Sequence, residues 1–223
     1  MTIQGKVPFL FLWIGVSGLG WLLIPINTLN PNLKSYWEVA NRGLVYAACG
    51  LMIGLVIGLG QFLVLKHSRV PSKTWFGMTL AGYTLAWPVG LAISTLIPAI
   101  AFALRGESFL PLRQPAAISF FPFPMDLVLG GWVVGVAQWF ALRQILPHRN
   151  SRLAALWALG VWLSVGLGLF VALIGRSAPI NIDSGTVFDA TLAFERAKIG
   201  IISGLVTGLL VLFVLGQARP KAE

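Results

Sequence analysis

The chain has 223 residues, of which 57% are hydrophobic and only 10% charged, with a formal net charge of +9. An ordinary soluble domain carries roughly 25% charged residues, so the composition excludes a water-soluble globular fold. The apolar runs do not alternate polar with apolar residues as the strands of a membrane barrel do, so they read as helices.

Runs of about 18 or more apolar residues with few charges are long enough to span a membrane. Six follow one another, at about 7–26, 43–65, 75–104, 127–147, 153–175 and 195–217. The first follows Lys6 and carries Trp13, Gly15, Gly18, Gly20 and Trp21. Its length before Pro25 exceeds that of a signal-peptide core, so it reads as a retained span. The second contains the single cysteine, Cys49, which forms neither an internal disulfide nor a cysteine-based zinc site and reads as a small packing residue. The third holds Gly82, Trp87 and Gly90, and Pro88 and Pro98 are expected to bend it. The segment Arg105–Asp126 then interleaves Phe109, Phe120, Phe121 and Phe123 with prolines and is expected to lie in the interface as an aromatic belt, with a cap over the bundle or a docking surface for a partner as the alternatives. The fifth run carries Trp157, Gly160, Trp162, Gly166 and Gly168. Glu195, Arg196 and Lys198 open the sixth and read as anchors of the helix end, with Glu195 and Lys198 spaced to pair on one face.

A motif recurs in the even-numbered runs. Gly54-x-x-x-Gly58-x-x-Gln61-Phe62 ends at Lys66, and Gly131-x-x-x-Gly135-x-x-Gln138-Trp139 ends at Arg143. Gly200-x-x-x-Gly204-x-x-Thr207 is a degenerate third copy without the terminal cation. Helical spacing puts the two glycines and the polar residue of each copy on nearly one face. The simplest account is an all-α membrane protein of six transmembrane helices. These are three parallel two-helix repeats, about 7–65, 75–147 and 153–217, around a pseudo-threefold axis, as internal repeats in membrane proteins can be. The whole chain, residues 1–223, then forms one polytopic domain.

Helices in lipid gain little from hiding apolar surface, so small residues that let backbones approach supply the packing. The ridges at Gly54 and Gly58, Gly131 and Gly135, and Gly200 and Gly204 are therefore expected to face other helices. Gln61, Gln138 and Thr207 are the best polar candidates, expected to converge as a ring near the bundle axis. They read as hydrogen-bonding glue between helices, each bond contributing about 0.6–2 kcal/mol; a lining for a solute path is the alternative.

Lys and Arg favour the cytoplasmic side. With six spans, the termini and the turns Lys66–Thr74 and Arg143–Arg152 share one side, with nine Lys and Arg against one acid. The other side has seven against six acids. Both termini are thus assigned to the cytoplasm. The basic turns suit anionic lipid headgroups, so the partner implied is the bilayer and not nucleic acid. His67 and His148, in those turns, have no acidic or cysteine companions for a metal.

No Gly-x-Ser-x-Gly elbow, His-Glu-x-x-His pair or phosphate-binding Gly-rich loop is present, and no histidine lies at membrane depth beside Ser17, Ser94, Ser164 or Ser203. No catalytic residue and no metal site is expected, and no cofactor is indicated.

The repeated Gly-x-x-x-Gly-x-x-Gln-(Trp/Phe)-x-x-Leu-(Arg/Lys) pattern, each followed by a Trp-bearing span, resembles a loose group of uncharacterised multi-pass proteins from cyanobacteria and related bacteria. The resemblance covers about residues 43–217. It implies a bacterial inner membrane, plasma or thylakoid, and no known activity. Thr207 and the missing cation after it depart from the pattern. The expectation is a non-catalytic membrane component, an accessory, assembly or partner-binding protein that associates with another membrane protein or with its own copies. A small-solute channel or transporter is the alternative, favoured by the repeat symmetry.

The charge distribution makes a topological prediction. In a Cys49→Ser background, Val70→Cys and Arg149→Cys should react with a membrane-impermeant maleimide only after cells are permeabilised. Labelling of either in intact cells would reverse the assignment.

Overall fold

The computed structural model describes residues 3–22, 36–67, 73–105, 125–145, 151–173 and 190–217. They form six helices: α1 (Ile3–Leu22), α2 (Tyr36–His67), α3 (Lys73–Leu104), α4 (Met125–Ile145), α5 (Ser151–Leu173) and α6 (Ala190–Gln217). Helices are the natural solution for chains this apolar, because every backbone polar group is satisfied within the segment. In the sequence Pro25, Pro71 and Pro147 follow the ends of α1, α2 and α4, and proline cannot continue a helix.

Two helices begin before their apolar runs do. α2 starts at Tyr36 rather than near 43, and α6 at Ala190 rather than near 195. The segment Tyr36–Arg42 holds no glycine or proline, so helical hydrogen bonding runs on past the apolar stretch and takes in Arg42. α3 continues through both Pro88 and Pro98. The Phe- and Pro-rich segment between α3 and α4, His148 and the side chain of Glu195 lie outside the described residues.

Three of the helices contain stretches long and apolar enough to cross a membrane: Gly43–His67, Lys73–Ser94 and Arg196–Gly216. Shorter apolar stretches are Lys6–Leu22 in α1 and Ala155–Val171 in α5. The outer surface agrees with a hydrocarbon environment. Leu51, Met52, Leu55, Leu59 and Leu63 stand exposed along α2, Leu156, Leu159, Leu163, Leu167 and Phe170 along α5, and Ile201, Leu205, Leu209 and Phe213 along α6. Soluble monomers rarely expose contiguous apolar surface on this scale. Polar side chains lie inside instead: Ser17, Gln61, Thr79, Gln138, Ser164, Ser203 and Thr207 are all buried.

Each helix packs against its neighbours in the chain, and α6 packs against α1, so the six close into a ring. Glycine meets neighbouring backbone at five of these contacts, among them Gly130 on Ala86 of α3 and Gly168 on Ile199 of α6, and three of the five repeat one pattern. Along α2, a Cβ on Gly50 would collide with the Tyr83 carbonyl of α3, and one on Gly54 would sit 3.1 Å from Leu80 Cα. Along α4, a Cβ on Gly135 would lie 2.6 Å from the Ala158 carbonyl oxygen of α5. Along α6, a Cβ on Gly200 would lie 2.5 Å from the Ser17 carbonyl oxygen of α1, and one on Gly204 would be 3.0 Å from Ile14 Cα. Each even-numbered helix thus lays its glycine ridge on the next odd-numbered helix, with α6 returning to α1. Gly58 and Gly131 meet side chains, those of Phe76 and Val165.

A side chain at Gly135 would strike backbone, which cannot turn aside. Gly135→Leu should therefore destabilise by at least the 1–3 kcal/mol typical of overpacking, about an order of magnitude more in equilibrium constant than Leu55→Ala on the outer face. Melting in mild detergent would measure both. An unchanged melting temperature for Gly135→Leu would contradict the α4–α5 contact.

Candidate functional site

The interior of the ring carries a layer of tryptophans and polar side chains. Trp13 of α1, Trp75 of α3 and Trp157 of α5 are each at most 1% exposed. Trp75 touches both others, with ring centroids 5.8 Å from Trp13 and 5.5 Å from Trp157. α1, α3 and α5 are not neighbours in the ring, so these contacts cross its centre. Phe9 stacks on Trp13 at 5.5 Å.

Buried indole N–H groups need acceptors, and the motif positions supply two. Trp75 Nε1 donates to Gln61 Oε1 at 3.0 Å. Trp13 Nε1 donates to Thr207 Oγ1 at 3.1 Å, and the Thr207 hydroxyl donates in turn to the Ser203 carbonyl at 2.7 Å. In both cases a tryptophan of an odd-numbered helix bonds the polar residue that follows the glycine pair of the helix packed before it.

Gln138 behaves differently. Its Nε2 donates to Thr79 Oγ1 of α3 at 3.1 Å and approaches Gln61 Oε1 at 3.5 Å, the outer limit of a bond. Trp157 Nε1, buried beside it in the same layer, has no acceptor. A buried donor left open costs about 1–3 kcal/mol. Trp139 also carries a buried indole nitrogen without a partner, whereas Trp21 lies within reach of the Tyr83 hydroxyl.

The structure therefore brings Gln61 and Gln138 into contact. Thr207 joins them only through Trp13 and Trp75. Sequence reasoning missed Trp75 and Thr79. The available signal was a tryptophan followed four residues later by a small polar residue, Trp13 with Ser17 and Trp75 with Thr79, which Val161 breaks after Trp157. The Ser17 hydroxyl donates back to the Trp13 carbonyl at 2.9 Å, and Ser164 and Ser203 likewise bond their own helices.

Toward the opposite end of the bundle Arg196 of α6 is 9% exposed. It does not stand at the helix end as an exposed anchor but is buried in the bundle. Tyr46 meets Trp87 edge-on at 5.5 Å. Lys198 lies 5.1 Å over the Phe194 ring. At the basic end Thr74 of α3 donates to Gln144 of α4 at 2.9 Å, and Arg143 lies 5.1 Å over the Trp139 ring. His67 is exposed there. Among the described residues no group of three His, Cys, Asp or Glu is placed to hold a metal ion.

Comparison with known proteins returns no family model, no curated protein and no solved structure that matches the chain. The class that fold and site define is a closed all-helical bundle with an apolar exterior and a polar, tryptophan-filled interior.

The layer predicts unequal costs for two equally buried tryptophans. Trp75→Phe should destabilise the protein in detergent by about 1 kcal/mol more than Trp157→Phe, the worth of the one hydrogen bond that only Trp75 makes. Combining Trp75→Phe with Gln61→Leu should cost less than the sum of the single changes. Equal costs for the two tryptophans, with additive behaviour at Gln61, would remove the network.

Proposed function

We propose that this protein is a non-catalytic integral component of a bacterial inner membrane, an accessory or assembly protein built to associate with other membrane proteins. One observation carries the reading: the space enclosed by the ring is filled. Trp13, Trp75 and Trp157 meet across its centre, and Gln61 and Gln138 close the gaps between them. A solute path would need that layer to open, and the hydrogen bonds and ring contacts within it all favour the closed packing. Paired amides and hydroxyls act here as glue between helices.

The reading takes all six helices as spans in three parallel repeats. It is supported by the recurrence of two contacts, glycine ridge on following helix and tryptophan to preceding polar residue. It keeps the basic turns and both termini on the cytoplasmic side, by the charge count. It also keeps kinship with the cyanobacterial-type multi-pass group whose motif the chain carries.

Purification in mild detergent from native membranes tests the proposal, alongside reconstitution in liposomes. A membrane-protein partner in fixed stoichiometry is expected, and flux of small solutes no greater than in empty liposomes. Flux that Gln61→Leu with Gln138→Leu abolishes while the fold survives would establish a transporter instead.

A further inference from the structure

The outer edge of the α2–α3 seam ends in two lysines. Phe62 of α2 and Phe76 of α3 meet across the seam, with ring centroids 6.3 Å apart. Lys66 follows Phe62 by four residues and Lys73 precedes Phe76 by three, so each lysine stands on the face of its phenylalanine, one turn nearer the helix end. Both lysines are exposed. Packed helices lie about 8–10 Å apart, a gap that two lysine side chains can close from either side. The sequence between them holds Arg69 and no acid, so the stretch supplies no carboxylate to offset two ammonium groups set side by side. Further in, the same face of α2 is apolar. Leu59 and Leu55 stand exposed there, seven and eleven residues before Lys66. The long apolar stretches of the two helices, Gly43–His67 and Lys73–Ser94, meet at this end.

We propose that Lys66 and Lys73 clamp the phosphate of one anionic phospholipid, whose acyl chain lies along Phe62, Leu59 and Leu55. Charge selects an anion, and the polarity of the face selects its form. Apolar side chains followed by a cation match an acyl chain followed by a phosphate, whereas a free phosphate ion would use the cations alone. An acidic protein segment would likewise engage the lysines and leave the leucines unused. α6 provides the contrast: Ile201, Leu205, Leu209 and Phe213 are exposed in the same way, but the last turn of that helix holds no basic residue. The general attraction of the basic turns for anionic headgroups thereby acquires a particular seat. Phosphatidylglycerol, with a single phosphate and a net negative charge, is the probe of choice. The inference rests on α2 and α3 spanning the membrane with this end at its surface, and not on the partner-binding reading.

The test uses the full-length protein in mild detergent, with native mass spectrometry reading the retention of phosphatidylglycerol against phosphatidylcholine. Phosphatidylglycerol should be preferred, and Lys66→Gln or Lys73→Gln should each lower its retention about fivefold, the contribution of one cation at an anionic surface. Lys66→Arg with Lys73→Arg should keep the preference. Lys6 is exposed near the start of α1, and Lys6→Gln should leave retention unchanged. Equal losses for Lys6→Gln and Lys73→Gln would show diffuse attraction and overturn the clamp. Excess inorganic phosphate should not displace the lipid; displacement would assign the lysines to a free anion instead. With a photoreactive diazirine in the acyl chain, cross-links should gather on Leu55, Leu59 and Phe62 several-fold over Leu205 and Leu209 of α6. That excess should vanish in Lys66→Gln with Lys73→Gln. Even labelling of the two helices would overturn the seat while leaving α2 a span. No labelling along α2 would overturn its reading as a span and the proposal with it. Capture of an acidic protein at the two lysines, without preference among lipids, would overturn the lipid as occupant.

Discussion

Surrounded by hydrocarbon, two helices gain almost nothing by pressing apolar side chains together, since the lipid they displace is equally apolar. What holds such a bundle is close contact and the bonds that closeness permits. Here backbone meets backbone where α2 lies on α3, α4 on α5 and α6 on α1, at Gly50 and Gly54, at Gly135, and at Gly200 and Gly204. The approach has a geometric consequence. A ring this tight leaves no room for a lumen, so side chains on its inner faces must mesh. The residues three places beyond each glycine pair are carried inward by the helical repeat, where Thr207 and Gln61 meet the indoles of α1 and α3 and Gln138 meets Thr79.

The inner layer then has to balance donors against acceptors, because neither water nor lipid will complete a missing bond. Gln61 serves best, since one amide oxygen faces the Trp75 N–H and the Gln138 amide together. Thr207 manages with a shorter side chain. Its hydroxyl oxygen accepts the Trp13 N–H while its O–H donates to a carbonyl one turn back, so the donor count closes within two helices. The Gln138 amide is drawn to Thr79 on the helix before it rather than to Trp157 on the helix after it. The tryptophans pack as large apolar bodies with a single polar edge, so they can fill the centre while leaving only one bond each to satisfy.

Much of this was legible from residue spacing, and the limits of legibility have physical causes. The spacing of Gly131, Gly135 and Gln138 puts small and polar groups on one helical face whatever the surroundings, so a packing ridge with a polar residue beyond it follows from the 3.6-residue period alone. Which helix receives the ridge does not follow, because any neighbour with a flat face would do; ring closure of α6 on α1 decides it. Trp75 escaped notice because it stands at the very start of its run, where a tryptophan ordinarily reads as an interfacial residue. Only its partnership with Gln61 draws it to the centre. Arg196 read as an anchor because the apolar run begins beside it. The helix in fact begins six residues earlier, at Ala190, which carries Arg196 past the end and into the bundle. Apolarity marks the span, whereas the helix extends as far as its backbone permits.

The departures from repetition are as informative as the repetition. On the repeat reading, Ser17, Thr79 and Val161 occupy one position, as do Gln61, Gln138 and Thr207. Threonine at 79 gives Gln138 a partner on α3, and valine at 161 offers it none on α5. Those two residues together turn the amide away from Trp157 and leave one indole of three without an acceptor. The same helix carries Gly160, where the absent side chain keeps an outer groove open. An open donor in an apolar interior is a standing cost of about 1–3 kcal/mol, which a conservative change to phenylalanine would remove at little loss of packing. The three indoles fill the centre of the ring all the same, so the core stays packed even where a donor stays open.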